Sequence, residues 1–179
     1  APDMGAFEYI GTGGTTDITV TYNTGWNIVA LSVEVEDPDY QTLFPNAQSG
    51  TLYSFDGIYQ PEETLEQGTG YLLRLTADDP VTFTGTPINE MTISLSAGWN
   101  LFSGISSSLS VDAVYAQDII QSGTIYGLDG VYFSPESIDP GMGYWVRATE
   151  DGEITLSSGA SAKQVSFVNR VEEANSITF

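Results

Sequence analysis

The side chains of this chain that could do chemistry are mainly carboxylates. Its 179 residues include 24 Asp and Glu but no His and no Cys. Disulfide bonds, thiol catalysis, zinc fingers, haem ligation through His and any His-based catalytic triad are therefore excluded. The remaining enzymatic option is a pair of carboxyl groups that act as acid and base on a glycoside.

Several acids recur 73 residues apart, and none of them belongs to a recognisable catalytic motif. The matched pairs are Asp39/Asp112, Asp56/Asp129, Glu63/Glu136 and Asp78/Asp151. Turn formation and surface charge explain them, and a duplicated catalytic site would be unusual in such small units. We therefore expect this chain to have no enzymatic activity of its own.

Carboxylates in loops are also ligands that Ca²⁺ prefers. Asp37 and Asp39 lie close together, while Asp78, Asp79 and Asp151 occupy matching turns. No EF-hand loop is present. Two interpretations stay open: a structural calcium at these positions, or solvated acids that maintain solubility. No other cofactor is expected.

Aromatic residues offer a second kind of site, because Trp and Tyr rings stack on sugars. Trp26 and Trp99 recur at one position inside apolar runs, so we predict that both pack in the core. Trp145 is more open to a binding role, since its counterpart is Leu72. The candidate ligand-binding residues are Trp145, its neighbour Tyr144, and two tyrosines beside tight turns, Tyr59 and Tyr132.

Two of the four basic residues, Arg74 and Arg147, occupy matched positions. A cation kept in both halves of so acidic a chain predicts a structural ion pair with Asp56/Asp129 or with Asp78/Asp151, because a guanidinium meets a carboxylate in two parallel hydrogen bonds. The other interpretation is a weak cross-strand surface pair.

The formal charge of −20 limits the kinds of partner that this chain can bind. Nothing here could neutralise phosphates, so we expect no nucleic acid. No apolar run approaches the roughly 20 residues that cross a bilayer.

The elements that must position these residues come from an internal duplication. Residues 18–86 align without gaps with residues 91–159. The shared motifs include Gly-Trp-Asn at 25–27 and 98–100, Gln-Ser-Gly-Thr at 48–51 and 121–124, Asp-Gly at 56–57 and 129–130, and Gly-x-Gly-Tyr at 68–71 and 141–144.

Each copy predicts six short strands. Apolar and polar residues alternate over 18–22 and 91–95, as expected for half-buried strands. Further strands are predicted at 26–31, 52–55, 58–59, 71–75 and 81–84, and at the matching positions of the second copy. The Asp-Gly pairs predict hairpins whose two central residues both have positive φ. Helical turns are expected at 39–44, before Pro45, and at 111–117, with Ser110 as N-cap.

These elements predict an all-β fold: two tandem, mutually packed β-barrel or β-sandwich modules of about six strands. The predicted boundaries are 17–88 for the first module and 89–160 for the second. Residues 1–16 are expected to be the remnant of an upstream domain with its linker. Residues 161–179 are expected to form an extension that is cut from a longer protein.

Two resemblances place these modules in a context. Residues 1–9, Ala-Pro-Asp-Met-Gly-Ala-Phe-Glu-Tyr, resemble the short motif that ends many right-handed parallel β-helix domains of secreted bacterial proteins. The repeats look like a tandem module found downstream of such domains in large secreted and surface proteins. That module has no agreed activity, so the resemblance implies an extracellular location at the bacterial cell surface, with the chemistry in a neighbouring domain.

The sequence therefore predicts a non-catalytic accessory module that binds polysaccharide or a cell-surface component and mediates adhesion. Two alternatives remain open. One is a structural spacer between a β-helix domain and a C-terminal anchor, and the other is a carboxylate-based glycan-active enzyme.

Overall fold

A computed structural model describes residues 14–158, except for the side chain of Asp79. The β-helix-like motif at 1–9, most of the N-terminal linker, Lys163 and the extension from residue 161 onward lie outside the described residues. The described part is all-β apart from two short helices, and its strands form several small antiparallel sheets without closing a barrel. The all-β prediction is confirmed, and of its two variants the sandwich-like one fits.

The first copy contains seven strands and one helix: β1 (Thr16–Tyr22), β2 (Gly25–Ala30), β3 (Val33–Glu34), α1 (Tyr40–Leu43), β4 (Tyr53–Phe55), β5 (Tyr59–Pro61), β6 (Gly70–Leu75) and β7 (Asp79–Pro87). The second contains eight strands and one helix: β8 (Glu90–Leu95), β9 (Gly98–Ser103), β10 (Leu109–Ser110), α2 (Val111–Tyr115), β11 (Gly127–Asp129), β12 (Val131–Phe133), β13 (Ser137–Ile138), β14 (Gly143–Ala148) and β15 (Gly152–Ser157). All six strands predicted per copy are present, together with strands of two residues.

The first and last long strands of each copy pair with one another. β1 runs antiparallel to β7, and β8 runs antiparallel to β15. The inward residues of β8 and β15, such as Ile93 and Ile154, are buried, while threonines line the outer face. This alternation is the period of two that the sequence shows.

The Gly-Trp-Asn motif builds the turn that precedes β2 and β9. Gly25 and Gly98 have φ near +100°, a conformation that glycine adopts at little cost. The Asn27 side chain accepts a hydrogen bond from the backbone N–H of Asn23 and donates to the carbonyl oxygens of Asn23 and Gly25. Asn100 repeats these contacts in the second copy. The glycine and the asparagine of this motif are therefore structural.

The Gln-Ser-Gly-Thr motif fastens a loop to the edge of β6. The Thr51 hydroxyl donates to the carbonyl of Gln48 and accepts from the backbone N–H of Arg74. The Arg74 guanidinium donates to the Gln48 side-chain oxygen. Gln121, Thr124 and Arg147 reproduce the arrangement on β14.

The predicted ion pairs of these arginines are therefore wrong, because each guanidinium takes a neutral amide oxygen as its partner. Three of the four carboxylates that were expected to pair with them have other partners, and the fourth, Asp56, has none among the described residues. Asp78 accepts from the backbone N–H and hydroxyl of Thr24, and Asp151 accepts from the backbone N–H of Ala97. Asp129 accepts from the Asn23 amide across the two copies. The arginines and these acids therefore bond to loops and turns of the scaffold and are not one another's partners.

Both helices begin at the expected residues. Asp39 caps α1 by accepting from the backbone N–H groups of Gln41 and Thr42, and Ser110 caps α2 by accepting from Asp112. The two caps lie 71 residues apart, so Asp39 corresponds to Ser110. The prediction that Asp39 and Asp112 are equivalent is wrong, because the ungapped alignment fails in this segment.

The Asp-Gly hairpins are present, but only their glycines have positive φ, +80° at Gly57 and +77° at Gly130. In the first copy Phe55 pairs with Tyr59, which leaves three residues in the connection. The predicted two-residue turn with two left-handed residues is therefore wrong.

The buried side chains form two clusters, one for each copy. The copies meet through reciprocal contacts, in the manner of an isologous interface. Val29 bridges Met142, and the matched residues Phe102 and Thr69 bridge in the same way. The backbone N–H of Ala30 donates to Gly141, and that of Ser103 donates to Gly68. The copies are therefore related by a pseudo-two-fold axis, and the predicted packing of one against the other is confirmed.

The second glycine of each Gly-x-Gly-Tyr motif lies at this interface. A Cβ on Gly70 would stand 2.8 Å from the Phe102 carbonyl oxygen, and one on Gly143 would stand 2.5 Å from Ile28 Cγ2 and 3.0 Å from the Val29 oxygen. Neither glycine has a positive φ. What requires glycine here is therefore the close approach of two backbones.

We predict that Gly143→Ala lowers the free energy of unfolding by about 1–3 kcal/mol, the usual cost of overpacking a core. Gly70→Ala should have an effect of the same sign. Urea denaturation of the full chain measures the change, with Glu153→Ala on the exposed side of β15 as the control. Alanine otherwise stabilises a glycine position by restricting the unfolded chain, so an unchanged or higher stability would contradict the close approach.

Candidate functional site: an aromatic face with two clefts

The large hydrophobic side chains that are exposed within the described residues come from two places in each copy. One is the Gly-Trp-Asn turn, and the other is the hairpin around Asp-Gly. They are Trp26, Trp99, Ile58, Tyr59, Val131, Tyr132 and Phe133. Exposed apolar residues that gather on one surface are typical of a binding site.

The prediction that Trp26 and Trp99 are core residues is wrong, since they are 44% and 42% exposed. The physical reason is the alternation within the strand. Trp26 lies opposite Arg74 in the register of β2 and β6, so it shares the solvent face with that charged residue. Trp99 lies opposite Arg147 in the same way. The apolar run after each Trp suggests burial, but the buried part of β2 begins only at Asn27.

Three of the exposed rings, Trp26, Tyr59 and Trp99, belong to a continuous series of ring contacts that we call the aromatic strip. Ring centroids 5.0–6.4 Å apart link its members in the order Trp26, Tyr53, Tyr59, Phe55, Trp145, Trp99 and Tyr126. Most of these contacts are edge-to-face or tilted, the arrangements that aromatic quadrupoles favour. The strip crosses from one copy to the other at Phe55 and Trp145.

Two clefts of about 500 Å³ each open along the strip. Cleft A is lined by Phe55, Tyr59, Trp99, Tyr126, Tyr132 and Trp145. Cleft B is lined by Trp26, Tyr53, Tyr59, Leu72, Leu128, Gly130 and Tyr132. Tyr59 and Tyr132 line both, so they stand between the two.

The pseudo-two-fold axis relates the clefts residue by residue. Trp99, Tyr126 and Trp145 in cleft A match Trp26, Tyr53 and Leu72 in cleft B. Each cleft is completed by the hairpin of the other copy: Phe55 reaches cleft A, and its counterpart Leu128 reaches cleft B. Two matched lining residues differ, because Trp145 and Phe55 of cleft A are leucines in cleft B, and Gly130 lines cleft B without a counterpart in cleft A. Cleft A is consequently lined by aromatic residues alone.

Within cleft A, three rings form walls at steep angles. Trp145 stands at 90° to Trp99 and at 76° to Phe55, with centroids 6.2 Å and 5.0 Å away. The Tyr126 hydroxyl donates to the carbonyl of Gly123, which fixes that ring. Tyr53 makes the matching bond to Gly50 in cleft B. Contacts within the chain therefore hold the walls of both clefts in position.

The two shared tyrosines are the polar feature between the clefts. Tyr59 and Tyr132 are 50% and 55% exposed, as predicted. Burial, and next the proximity of Tyr132, raise the pKa of Tyr59 above its usual value. Neither hydroxyl has a hydrogen-bond partner among the described residues, so both can serve a ligand.

The prediction that Tyr144 binds a ligand is wrong, because Tyr144 is only 2% exposed. Its hydroxyl accepts a hydrogen bond from the backbone N–H of Asp139, and Tyr71 does the same for Glu66. The side chain of Trp145 points the other way, because consecutive strand residues face opposite sides. Of the adjacent pair, only Trp145 reaches the cleft.

The sequence interpretation missed three residues of the site: Tyr53, Phe55 and Tyr126. The spacing of these residues in the sequence does contain a signal for them. Tyr53 and Phe55 are two residues apart on β4 and so share a face, and Phe55 pairs directly with Tyr59 across the hairpin. Tyr126 matches Tyr53 in the repeat.

The acidic residues do not gather into a metal site. Within residues 14–158 as described, no three Asp or Glu side chains form a group that could hold a metal ion. Asp37 accepts from the backbone N–H of Asp39, and Asp39 caps α1. The hydrogen bonds from Thr24 lower the pKa of Asp78. The calcium prediction thus has no support from Asp37, Asp39, Asp78 or Asp151, and the Asp79 side chain lies outside the described set.

Paired carboxylates are also missing from these clefts. No acid lines cleft A or cleft B, and a third cleft between the copies contains one, Asp56. The glycosidase alternative needs two facing carboxyl groups, and it finds no support at these positions.

Comparison with protein-family models, curated protein sequences and solved structures found no match to this chain. The resemblances drawn from its motifs therefore remain predictions. No helix of the described residues is long and apolar enough to cross a membrane.

Tyr144 leads to a prediction about pH. Burial raises the pKa of Tyr144 to about 12, so the fold favours the neutral phenol. This contribution to stability is complete below the ordinary pKa of about 10 and is lost as the pH rises through about 12. We expect the free energy of unfolding to stay level up to about pH 10 and then to fall.

Tyr144→Phe should lose its part of this alkaline fall. It should also lower stability at neutral pH by about 1–3 kcal/mol, because the Asp139 N–H loses its acceptor. Denaturation curves across the alkaline range measure both effects, and Tyr132→Phe, at an exposed site, serves as the control. If the variant and the parent show the same alkaline profile, the assignment of the fall to Tyr144 is wrong.

Proposed function

We propose that this chain is a non-catalytic module that binds polysaccharide through its aromatic face, as part of a secreted or cell-surface bacterial protein. The observation that carries the proposal is the uninterrupted strip of seven rings across both copies. Three of these rings are exposed and the other four are partly exposed, and apolar surface gathered in this way is typical of a binding site.

The chemistry of the strip suits a sugar polymer. The C–H groups on one face of a pyranose ring carry small positive charges, and aromatic faces carry the complementary negative charge. Contact between them also removes apolar surface from water. Tyr59 and Tyr132 add free hydroxyls beside the apolar walls, and a few polar groups on an apolar lining are typical of small-molecule sites.

The length of the strip favours a polymer over a single sugar. Cleft A and cleft B share a wall, so an extended ligand that occupies one is led directly into the other. Several weak contacts along one chain add in the manner of multivalent binding. The absence of carboxylates from both linings favours binding over catalysis.

The N-terminal residues bear on the wider role of this module. The β-helix-like residues 1–9 suggest a neighbouring domain that acts on or adheres to polysaccharide. A binding module beside it would hold that domain near its substrate or near another cell. The alternative of a plain spacer predicts no ligand and is decided by the same experiment.

The test is binding of the purified full chain to immobilised plant, algal and bacterial polysaccharides. Intrinsic fluorescence follows binding directly, because all three tryptophans belong to the strip. Binding to at least one polymer, lost when Trp99 is replaced by Ala, supports the proposal. If the chain binds none of these polysaccharides, the proposal is overturned and the spacer alternative is favoured.

The repeat supplies a matched pair of variants for the same assay. Trp145→Leu gives cleft A the residue that cleft B has, and we expect about tenfold weaker binding, equivalent to about 1.4 kcal/mol. Leu72→Trp makes the reverse change in cleft B and should strengthen binding. Equal affinities for both variants and the parent would show that the clefts are not the site.

A further inference from the structure

We propose that the polysaccharide is one that carries free amino groups, such as a polymer of deacetylated amino sugars. This inference rests on the proposed function and specifies the ligand class of the same face. Three observations lead to it: the charge of the chain, the composition of cleft A and the position of two exposed carboxylates.

The charge disfavours acidic polymers. The chain carries a formal charge of −20. Within the described residues the basic side chains are Arg74 and Arg147, and both guanidiniums already donate to glutamine oxygens. Neither arginine lines a cleft. A uronic acid or sulfated polymer would be repelled by the field of the protein and would find no cation in the lining of either cleft.

The same field attracts cations, and cleft A can receive one. Its walls are six aromatic side chains, two of which, Trp99 and Phe55, stand at steep angles to Trp145. An ammonium group beside several ring faces gains cation–π attraction, which is largest for Trp and grows when the group is partly desolvated. A neutral sugar gains only stacking from these walls.

Each hairpin also carries an exposed carboxylate next in sequence to a residue that lines a cleft. Asp56 directly follows Phe55 of cleft A, and these two residues also line the third cleft, which adjoins cleft A at Phe55. Its counterpart Asp129 lies in sequence between Leu128 and Gly130 of cleft B. The Asp129 carboxylate accepts from Asn23, whereas the Asp56 carboxylate has no partner among the described residues. The cleft with more aromatic walls is therefore also the one beside an unpaired negative charge.

The pseudo-two-fold relation strengthens this reading for a polymer. Asp56 and Asp129 occupy matched positions on the two hairpins, so a chain with an amino group on successive units can meet an acid beside each cleft. Opposite charges spaced along both partners are complementary along the whole contact.

The experiment compares three β-1,4-linked oligosaccharides of equal length: glucosamine, N-acetylglucosamine and glucose oligomers. Affinity for the full chain is measured by calorimetry at pH 5.5, where the amines are protonated, and at about 0.05 M and 0.5 M salt. We expect the glucosamine oligomer to bind at least tenfold more tightly than the others. Its advantage should shrink at high salt, because salt screens charges over a few ångströms.

Two variants separate a specific site from adsorption of a cation to an acidic protein. Asp56→Asn should weaken glucosamine binding several-fold, while Glu153→Gln, which removes the same charge from β15, should not. Trp145→Leu leaves the charge unchanged and should weaken binding as well. Thermal melts of each variant establish that the fold is intact.

The outcomes distinguish this inference from the proposed function. If the acetylated or glucose oligomers bind as tightly and without salt dependence, the inference is wrong and polysaccharide binding stands. If glucosamine binding is unaffected by Trp145→Leu and Asp56→Asn, it is adsorption, and the inference is again overturned. If no saccharide binds under any condition, the proposed function fails too.

Discussion

The contact between two backbones at the pseudo-two-fold axis determines most of what this molecule presents to solvent. At Gly70 and Gly143 the strands of one copy approach the main chain of the other so closely that a single methyl group would collide with it. This approach brings the hairpin of each copy over the tryptophan turn of the other, which places Phe55 against Trp145. With the copies further apart, Trp145 would lose Phe55, and neither cleft would have the wall that the hairpin of the other copy supplies.

Much of the scaffold could be predicted from the sequence, because its signals are local. Alternation located the long strands, and Asp39 and Ser110 capped their helices as such residues do in isolation. Glycines that need positive φ, such as Gly25 and Gly98, mark turns whatever surrounds them. Because of the duplication, each of these features occurs in both copies, so each prediction has two independent occurrences to support it.

The site was less predictable, because it depends on which face of a strand meets solvent. Trp26 stands in an apolar run, and only its register opposite Arg74 shows that it points outward. The arginines were misassigned for a similar reason. In so acidic a chain a carboxylate is the obvious partner, yet the docking of the Gln-Ser-Gly-Thr loop brings Gln48 and Gln121 to the guanidiniums first. Contacts between copies, such as Phe55 in cleft A, leave no signal in either copy alone.

The exchange of hairpins across the axis has a consequence for the origin of the chain. A solitary unit could not finish its own cleft, since one wall always comes from its neighbour. A single unit could therefore form such a cleft only together with a second copy, as in a homodimer, and both clefts would then be identical. Because this chain carries both units in one sequence, its two clefts can differ, as they do at Trp145/Leu72 and Phe55/Leu128.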